Sequence, residues 1–240
     1  MIKYLIFLLS LSTTLSAQIM LPAYQGIQYK SPDCTTCVFC ASAGSVATTV
    51  VEVTNPTTGK IWMDRNLGAT QVATSSTDAN SYGDLYQWGR LSDGHQCRNS
   101  GTTSTLSSSD VPGNANFIVA PLSPQNWRNP QSTNLWQEVN GVNNPCPDGY
   151  RLPTEIELNK ERESWSANSS DGAFASPLKL PKAGYRVSSS GSVASFGSSG
   201  RYWNSTVSGT FGRNLYFSSG AFMDNSFRAD GLSVRCIKYY

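Results

Sequence analysis

The stretch CPDGYRLPTEIELNKERESW, residues Cys146–Trp165, contains signals for a tight turn, a short strand and a helix in immediate succession. Asp148-Gly149 favours a turn in which the glycine adopts positive φ. Pro153 has no backbone N–H to donate, so the strand formed by Tyr150–Leu152 has to end there. A helix is expected to begin directly afterwards.

The start of this helix carries a capping signal. Thr154 stands at the N-cap position with Glu157 at the third helical position, so each side chain can accept a hydrogen bond from an exposed backbone N–H. Glu155 adds a negative charge at the positive end of the helix. We favour this interpretation over a carboxylate site built from Glu155 and Glu157, because no partner residue argues for catalysis.

The C-terminal part of the chain alternates short runs of β-forming residues with Gly/Ser turns, a pattern that predicts an antiparallel meander. The predicted strands are Leu178–Leu180, Ala183–Val187, Ser192–Phe196, Arg201–Ser205, Asn214–Phe217, Ala221–Phe227 and Leu232–Ile237. Together with the predicted helix, they indicate an α+β domain.

A first hairpin is predicted nearer the N-terminus. Val46–Thr54 and Lys60–Asp64 flank an NPTTG turn, and Trp62 and Met63 are expected to face opposite sides. Asp64 and Arg65 lie in a tight segment that ends at Gly68, and they are expected to form an ion pair or backbone hydrogen bonds rather than a catalytic site.

The middle of the chain divides into an aromatic segment and a loop-rich segment. YGDLYQWGR (82–90) carries too much aromatic surface for an exposed turn, so its rings should lie in the core. Residues 91–135 are rich in Ser, Thr, Gly and Pro without apolar periodicity, which indicates long loops or an inserted decoration.

Six motifs occur in a fixed order: NPTTGKIWMDRNLGA (55–69), YGDLYQWGR (82–90), NPCPDGYRLPT (144–154), LKLPKAGYR (178–186), YWNST (202–206) and VRCIK (234–238). GYRLPTEIEL resembles the G-[YWF]-RLPTEAEW signature of formylglycine-generating-enzyme-like and C-type-lectin-like domains. The ordered set resembles the Fibrobacter succinogenes major paralogous domain. The resemblance implies a C-type-lectin-like fold in an exported bacterial domain, and it implies no established biochemical activity.

The N-terminus predicts export. Lys3, the apolar run Tyr4–Leu11 and the small residues before Gln18 form a secretory signal peptide, whose apolar run is too short to span a bilayer. The chain therefore divides into a signal peptide (residues 1–17), a cysteine-containing arm (residues 18–45) and the main domain (residues 46–240). We expect a secreted or cell-surface protein with no membrane span.

Six cysteines in an exported chain indicate three disulfides. The resemblance places Cys146 and Cys236 at core positions that connect the two ends of the domain, and we expect them to pair. The other four cysteines are Cys34, Cys37, Cys40 and Cys97.

The N-terminal cysteine cluster also has a metal-binding interpretation. Its three thiols, with Cys97 or His95, could supply four ligands for Zn²⁺. An oxidising compartment and the missing second CxxC pair favour disulfides instead. His95 is then expected to be a solvated loop residue.

Composition argues against two classes of partner. Only 14% of the residues are charged and the formal net charge is +2, without a cluster of Lys or Arg that could form a phosphate-binding stripe. Nucleic acid is therefore not expected as a partner, and attraction to a membrane surface is equally unsupported.

Catalysis is not expected. The formylglycine-generating enzymes use a reactive cysteine pair before the C-terminal strands, where this chain has only Cys236. One histidine in the whole chain cannot support a Ser/His/Asp or Cys/His site with any specificity.

No cofactor is expected either. The EPN or QPD tripeptide of calcium-dependent lectins is missing, and Trp203-Asn204-Ser205 matches only part of their WND motif. Asp224, Asn225 and Asp230 carry oxygen atoms that suit Ca²⁺ elsewhere, but we favour polar turn residues at these positions.

The region 201–228 supplies the predicted binding face. Alternation along its strands would turn Trp203, Leu215 and Phe217 inward. It would turn Tyr202, Asn204, Asn214, Tyr216 and Ser218 toward solvent. The resemblance adds that C-terminal strands and loops commonly carry ligand contacts, and the predicted ligand-binding residues are Asn204, Asn214, Tyr216, Asn225 and Arg228.

Two non-catalytic functions fit these observations. The first is a binding or adhesion module for a glycan or a surface protein. The alternative is a structural subunit of an extracellular filament or surface layer, which would self-associate through the N-terminal arm or an edge strand.

Overall fold

The computed structural model describes residues 48–240 of the chain. The predicted signal peptide and the whole predicted arm, with Cys34, Cys37 and Cys40, lie outside the described residues. Within the described range, no helix is both long enough and apolar enough to cross a lipid bilayer.

Short strands and two helices make up the described domain. In chain order they are β1 (Glu52–Thr54), β2 (Ile61–Met63), β3 (Tyr86–Gln87), β4 (Thr102–Thr103), β5 (Phe117–Ile118), β6 (Tyr150–Arg151), α1 (Glu155–Glu163), α2 (Ser170–Ala175), β7 (Tyr185–Arg186), β8 (Val193–Ala194), β9 (Gly200–Ser208), β10 (Phe211–Phe217), β11 (Ala221–Phe227), β12 (Gly231–Leu232) and β13 (Ile237–Lys238), with a 3₁₀ turn at Ala79–Ser81. The α+β prediction is confirmed.

The strands form small sheets that are mostly antiparallel. Two four-stranded sheets have the orders β1-β2-β13-β6 and β3-β12-β7-β8, and β4 pairs with β5 in parallel. The third sheet, β11-β10-β9, is the predicted antiparallel meander and is here called the meander sheet. The first hairpin is also confirmed, with Val53 opposite Trp62.

Residues 178–180 do not form the predicted strand. Lys179 adopts a positive φ of 47°, which an extended strand does not allow. The Leu178 carbonyl accepts a hydrogen bond from Arg235 Nη1 (2.7 Å), and the Leu180 N–H donates to the Ala173 carbonyl (3.0 Å). The backbone groups of residues 178–180 therefore form hydrogen bonds within a turn after α2 and with Arg235, not with a neighbouring strand.

Helix α1 begins at the predicted capping box. Thr154 Oγ1 accepts from the Glu157 N–H, and the Glu157 carboxylate accepts from the Thr154 N–H. Arg151 of β6 holds the same carboxylate through two 2.8 Å hydrogen bonds. Glu155 binds Arg213 of β10, with 3.0 Å between Nε and each carboxylate oxygen. The first turn of α1 is thus attached both to β6 and to the meander sheet.

Two hydrophobic clusters form the core. Met63 lies in the cluster that contains Trp88 and Trp203, whereas Trp62 lies in the cluster that contains Tyr202. The predicted opposite orientation of Trp62 and Met63 is therefore confirmed. The predicted Asp64–Arg65 ion pair is also present, at 2.7 Å.

The aromatic segment 82–90 is buried as predicted, and its backbone binds three tryptophans from elsewhere in the chain. The carbonyls of Tyr86, Trp88 and Arg90 accept indole N–H groups at 2.7, 2.7 and 3.2 Å, from Trp203, Trp127 and Trp136 respectively. Trp127 and Trp136 belong to the predicted loop-rich segment and its continuation, yet both are fully buried. This part of the chain is irregular but contributes to the core.

The disulfide Cys146–Cys236 is confirmed and joins residues 90 positions apart in sequence. Cys97 is disulfide-bonded as well, which agrees with the disulfide interpretation for that residue.

The prediction for His95 is wrong, because the residue is fully buried rather than solvated. Its Nδ1 lies 2.6 Å from Asp93 Oδ1, and its Nε2 accepts the Gln87 N–H at 3.0 Å. His95 is buried because both ring nitrogens find partners inside the protein.

Candidate binding site

Strand β9 is buried on both sides. Tyr202 and Asn204 of β9 and Asn214 of the neighbouring β10 have no exposed surface, so the prediction that they face solvent is wrong. Tyr202 packs in one hydrophobic cluster and its neighbour Trp203 packs in the other. Alternation separated the two faces of the strand correctly, but both faces are covered. The inward orientation predicted for Leu215 and Phe217 is confirmed.

Arg228 is also an interior residue, contrary to its predicted place on a ligand-binding face. Its guanidinium carbon lies 4.8 Å from the centre of a Trp88 ring. Its Nη atoms donate to the carbonyls of Ser132 (2.7 Å) and Gly209 (2.9 Å). Arg228 therefore connects two loops to the core.

The two remaining predicted residues lie on opposite faces of the meander sheet. Tyr216 is half-buried and stands opposite Phe222 in the ladder. Asn225 is exposed on the other face, where its Oδ1 accepts from Arg213 Nη1 at 2.8 Å. The five predicted ligand-binding residues do not converge on one surface.

A different set of side chains does meet around Tyr216. The Arg201 guanidinium carbon lies 4.5 Å from the ring centre of Tyr185 and 5.1 Å from that of Tyr216. The Tyr216 and Phe222 ring centres are 5.1 Å apart. Phe222 is 50% exposed, so the row runs from β7 across the meander sheet and ends in solvent. Tyr185, Tyr216 and Phe222 are here called the rim.

Polar side chains lie inward of the rim on the same face. Ser226 Oγ accepts from Asn214 Nδ2 at 3.0 Å and from Arg201 Nη1 at 3.3 Å. Asn214 Oδ1 and Arg201 Nε are buried without a hydrogen-bond partner. Arg201, Asn214 and Ser226 are here called the floor. Arg201 is thus the half-buried charged group beside the aromatic rings, whereas Asn214 and Ser226 are buried.

Two carboxylates border this surface. Burial raises the pKa of Asp230, and the Ser188 N–H (2.9 Å from Oδ1) and the charge of Arg201 oppose that rise. Asp224 Oδ1 accepts the Asn225 N–H at 2.8 Å. Asp224 and Asn225 are successive strand residues and point to opposite faces, so together with buried Asp230 they do not form the Ca²⁺ site considered from the sequence. Among residues 48–240, no cluster of three or more His, Cys, Asp or Glu side chains could hold a metal ion.

The sequence predicts strands at Tyr185, Arg201 and Phe222, but it does not predict that these three side chains meet. Each stands in or beside a predicted strand, and Arg201 directly precedes the YWNST motif. Their meeting depends on the pairing of β9 with β10 and on the bridge between Gly184 and Gly200, which local patterns do not reveal.

No family model, curated protein or solved structure matches the chain.

Proposed function

We propose that the chain is a secreted or cell-surface, non-catalytic binding or adhesion module with the C-type-lectin-like fold of the Fibrobacter succinogenes major paralogous domain. The observation that carries the proposal is the rim of aromatic side chains beside the half-buried guanidinium of Arg201. Stacking rings beside a guanidinium group are suited to a glycan or to a polar segment of a surface protein.

The partners of His95 support a non-catalytic function. A histidine that acts as a general base needs a free ring nitrogen within reach of a substrate. In His95 the Nδ1 faces Asp93 and the Nε2 accepts the Gln87 N–H, and the ring is fully buried. The only histidine of the chain is therefore committed to the structure.

The edge of the meander sheet favours the module over the filament subunit. Growth of a sheet from one molecule to the next requires free backbone donors and acceptors on an edge strand. In the edge strand β11, the Asn225 N–H already donates to the Asp224 carboxylate. That donor is not available to a strand of another copy. Self-association through the N-terminal arm remains the second candidate, since the arm lies outside the described residues.

The test uses two ring pairs on the same two strands. Tyr216–Phe222 and Phe211–Phe227 both join β10 to β11, with ring centres 5.1 and 5.4 Å apart, and they lie on opposite faces. We expect the Tyr216→Ala/Phe222→Ala variant to lose binding on a glycan array and on bacterial cells. The matched Phe211→Ala/Phe227→Ala variant should bind like the wild type.

Circular dichroism and a thermal melt verify that both variants are folded. Equal binding by the wild type and the folded rim variant would remove this surface as the site of function. Extended polymers of the purified protein in electron micrographs would instead favour the filament subunit.

A further inference from the structure

Arg201 is the least satisfied arginine of the described residues. Within the described residues its guanidinium donates one hydrogen bond, a 3.3 Å contact from Nη1 to Ser226 Oγ, and its buried Nε has no partner. Every other arginine from residue 48 onward has a carboxylate or a backbone carbonyl as a hydrogen-bond or ion-pair partner. A half-buried guanidinium with so few acceptors is costly unless another group completes its hydrogen bonding.

The surroundings hold Arg201 in place without neutralising it. Tyr185 and Tyr216 lie on its guanidinium at 4.5 and 5.1 Å, which limits the rotamers of a long side chain. No carboxylate within the described residues lies within 4.0 Å of it as an ion-pair partner. Asp230 is close enough for its pKa to respond to Arg201, but burial, the larger influence, raises that pKa and so disfavours the charged form.

We infer that the ligand of the rim and floor is an acidic sugar, whose carboxylate binds Arg201 while its ring stacks on Tyr216 or Phe222. This inference rests on the proposed function and specifies its ligand. A guanidinium fixed by aromatic rings presents its N–H groups to a carboxylate in a geometry that a flexible lysine does not match.

A neutral sugar or an apolar peptide would use the rim but leave the guanidinium without an acceptor. Both ligands would bury Arg201 further without supplying a negative charge, which adds to the desolvation cost. An acidic sugar supplies the stacking surface and the charge together. Charge complementarity therefore selects the acidic sugar among these ligands.

The experiment compares sugars that differ in a carboxylate. Matched pairs are trigalacturonate with its methyl ester, sialyllactose with lactose, and a glucuronate disaccharide with the corresponding glucose disaccharide. Isothermal titration calorimetry on the wild-type protein should show that at least one acidic member binds about tenfold more tightly than its neutral partner, as one charge-assisted contact provides. Raising the salt concentration should weaken that acidic binding and leave neutral binding unchanged.

Variants at position 201 identify the residue responsible. Arg201→Gln should remove the preference for the acidic member, and Arg201→Lys should retain only part of it. If Arg201→Gln does not fold, the salt dependence of the wild type still decides the charge of the ligand. Equal affinity for both members of all three pairs, or no binding of any acidic member, would overturn the inference.

The two proposals fail in different ways. Loss of binding in the Tyr216→Ala/Phe222→Ala variant together with a preference for neutral sugars would retain the proposed function and refute the acidic ligand. Acidic binding that persists in both the rim variant and folded Arg201→Gln would place the ligand elsewhere and refute both.

Discussion

His95 illustrates how a single side chain is fixed by its partners. Burial lowers its pKa to about 4 from the ordinary value of 6.5, and the positive charge of Arg90 adds to this effect. Protonation would also break the bond in which Nε2 accepts the Gln87 N–H. Between pH 6.5 and about 4 the unfolded chain therefore binds a proton that the folded protein does not. His95 therefore lowers the free energy of unfolding as the pH decreases through this window, whereas buried Asp84, whose pKa burial raises to about 7, contributes in the opposite direction.

This titration can be observed directly, because His95 is the only histidine of the chain. In untagged protein, the proton NMR signal of the imidazole should keep its neutral chemical shift through pH 6.5 and begin to move only near pH 4. A folded-state midpoint near 6.5 would contradict the assigned hydrogen bond to Nε2.

In the segment from Tyr86 to Arg90, every second backbone carbonyl accepts a hydrogen bond from a tryptophan side chain. In an ordinary strand these carbonyls would bind a neighbouring strand, but here indole N–H groups occupy them. Sequence reasoning placed this segment in the core from its aromatic content. It could not identify Trp127 and Trp136 as donors, because loop composition conceals a contact made across more than 35 positions of the chain.

Two Trp→Phe substitutions together measure how much an indole hydrogen bond to this segment contributes to the free energy of unfolding. Trp127→Phe removes the donor to the Trp88 carbonyl, whereas Trp62→Phe removes an indole N–H that is buried without a partner. Both substitutions remove a similar volume from the core. Trp127→Phe should therefore reduce the free energy of unfolding by about 1–3 kcal/mol more than Trp62→Phe, the cost of an unsatisfied buried carbonyl. Equal losses in urea unfolding would show that the hydrogen bond contributes nothing.

Over the whole molecule, the disulfide links the turn before β6 to the segment before β13. Cys146 and Cys236 are both buried and belong to one hydrophobic cluster. A Cys146→Ala/Cys236→Ala variant should lose about 4–5 kcal/mol of unfolding free energy, because the link restricts a long loop of the unfolded chain. Oxidised wild type and variant are compared by urea unfolding. An unchanged midpoint and slope would show that the link does not constrain the unfolded state.

Sequence reasoning succeeded where local chemistry decides the structure. The capping box at Thr154, the hairpin around Trp62 and the strand Ala221–Phe227 all follow from neighbouring residues. It failed at Asn204 and Asn214, since polar residues in an alternating strand are expected to face water. Asn204 is buried because β9 lies between two clusters that are assembled from distant parts of the chain, and Asn214 is buried opposite Trp203 on the neighbouring strand β10.

The rim and the floor differ in how strongly they are tied to the rest of the protein. Tyr216 and Phe222 belong to neither hydrophobic cluster, whereas Asn214 and Ser226 are buried within the domain. Exchanging the two rings therefore leaves the scaffold intact, while altering the floor disturbs it. If the rim is the binding surface proposed above, a gene encoding such a domain can diversify after duplication by changing a few outer rings, while purifying selection on the scaffold continues unchanged.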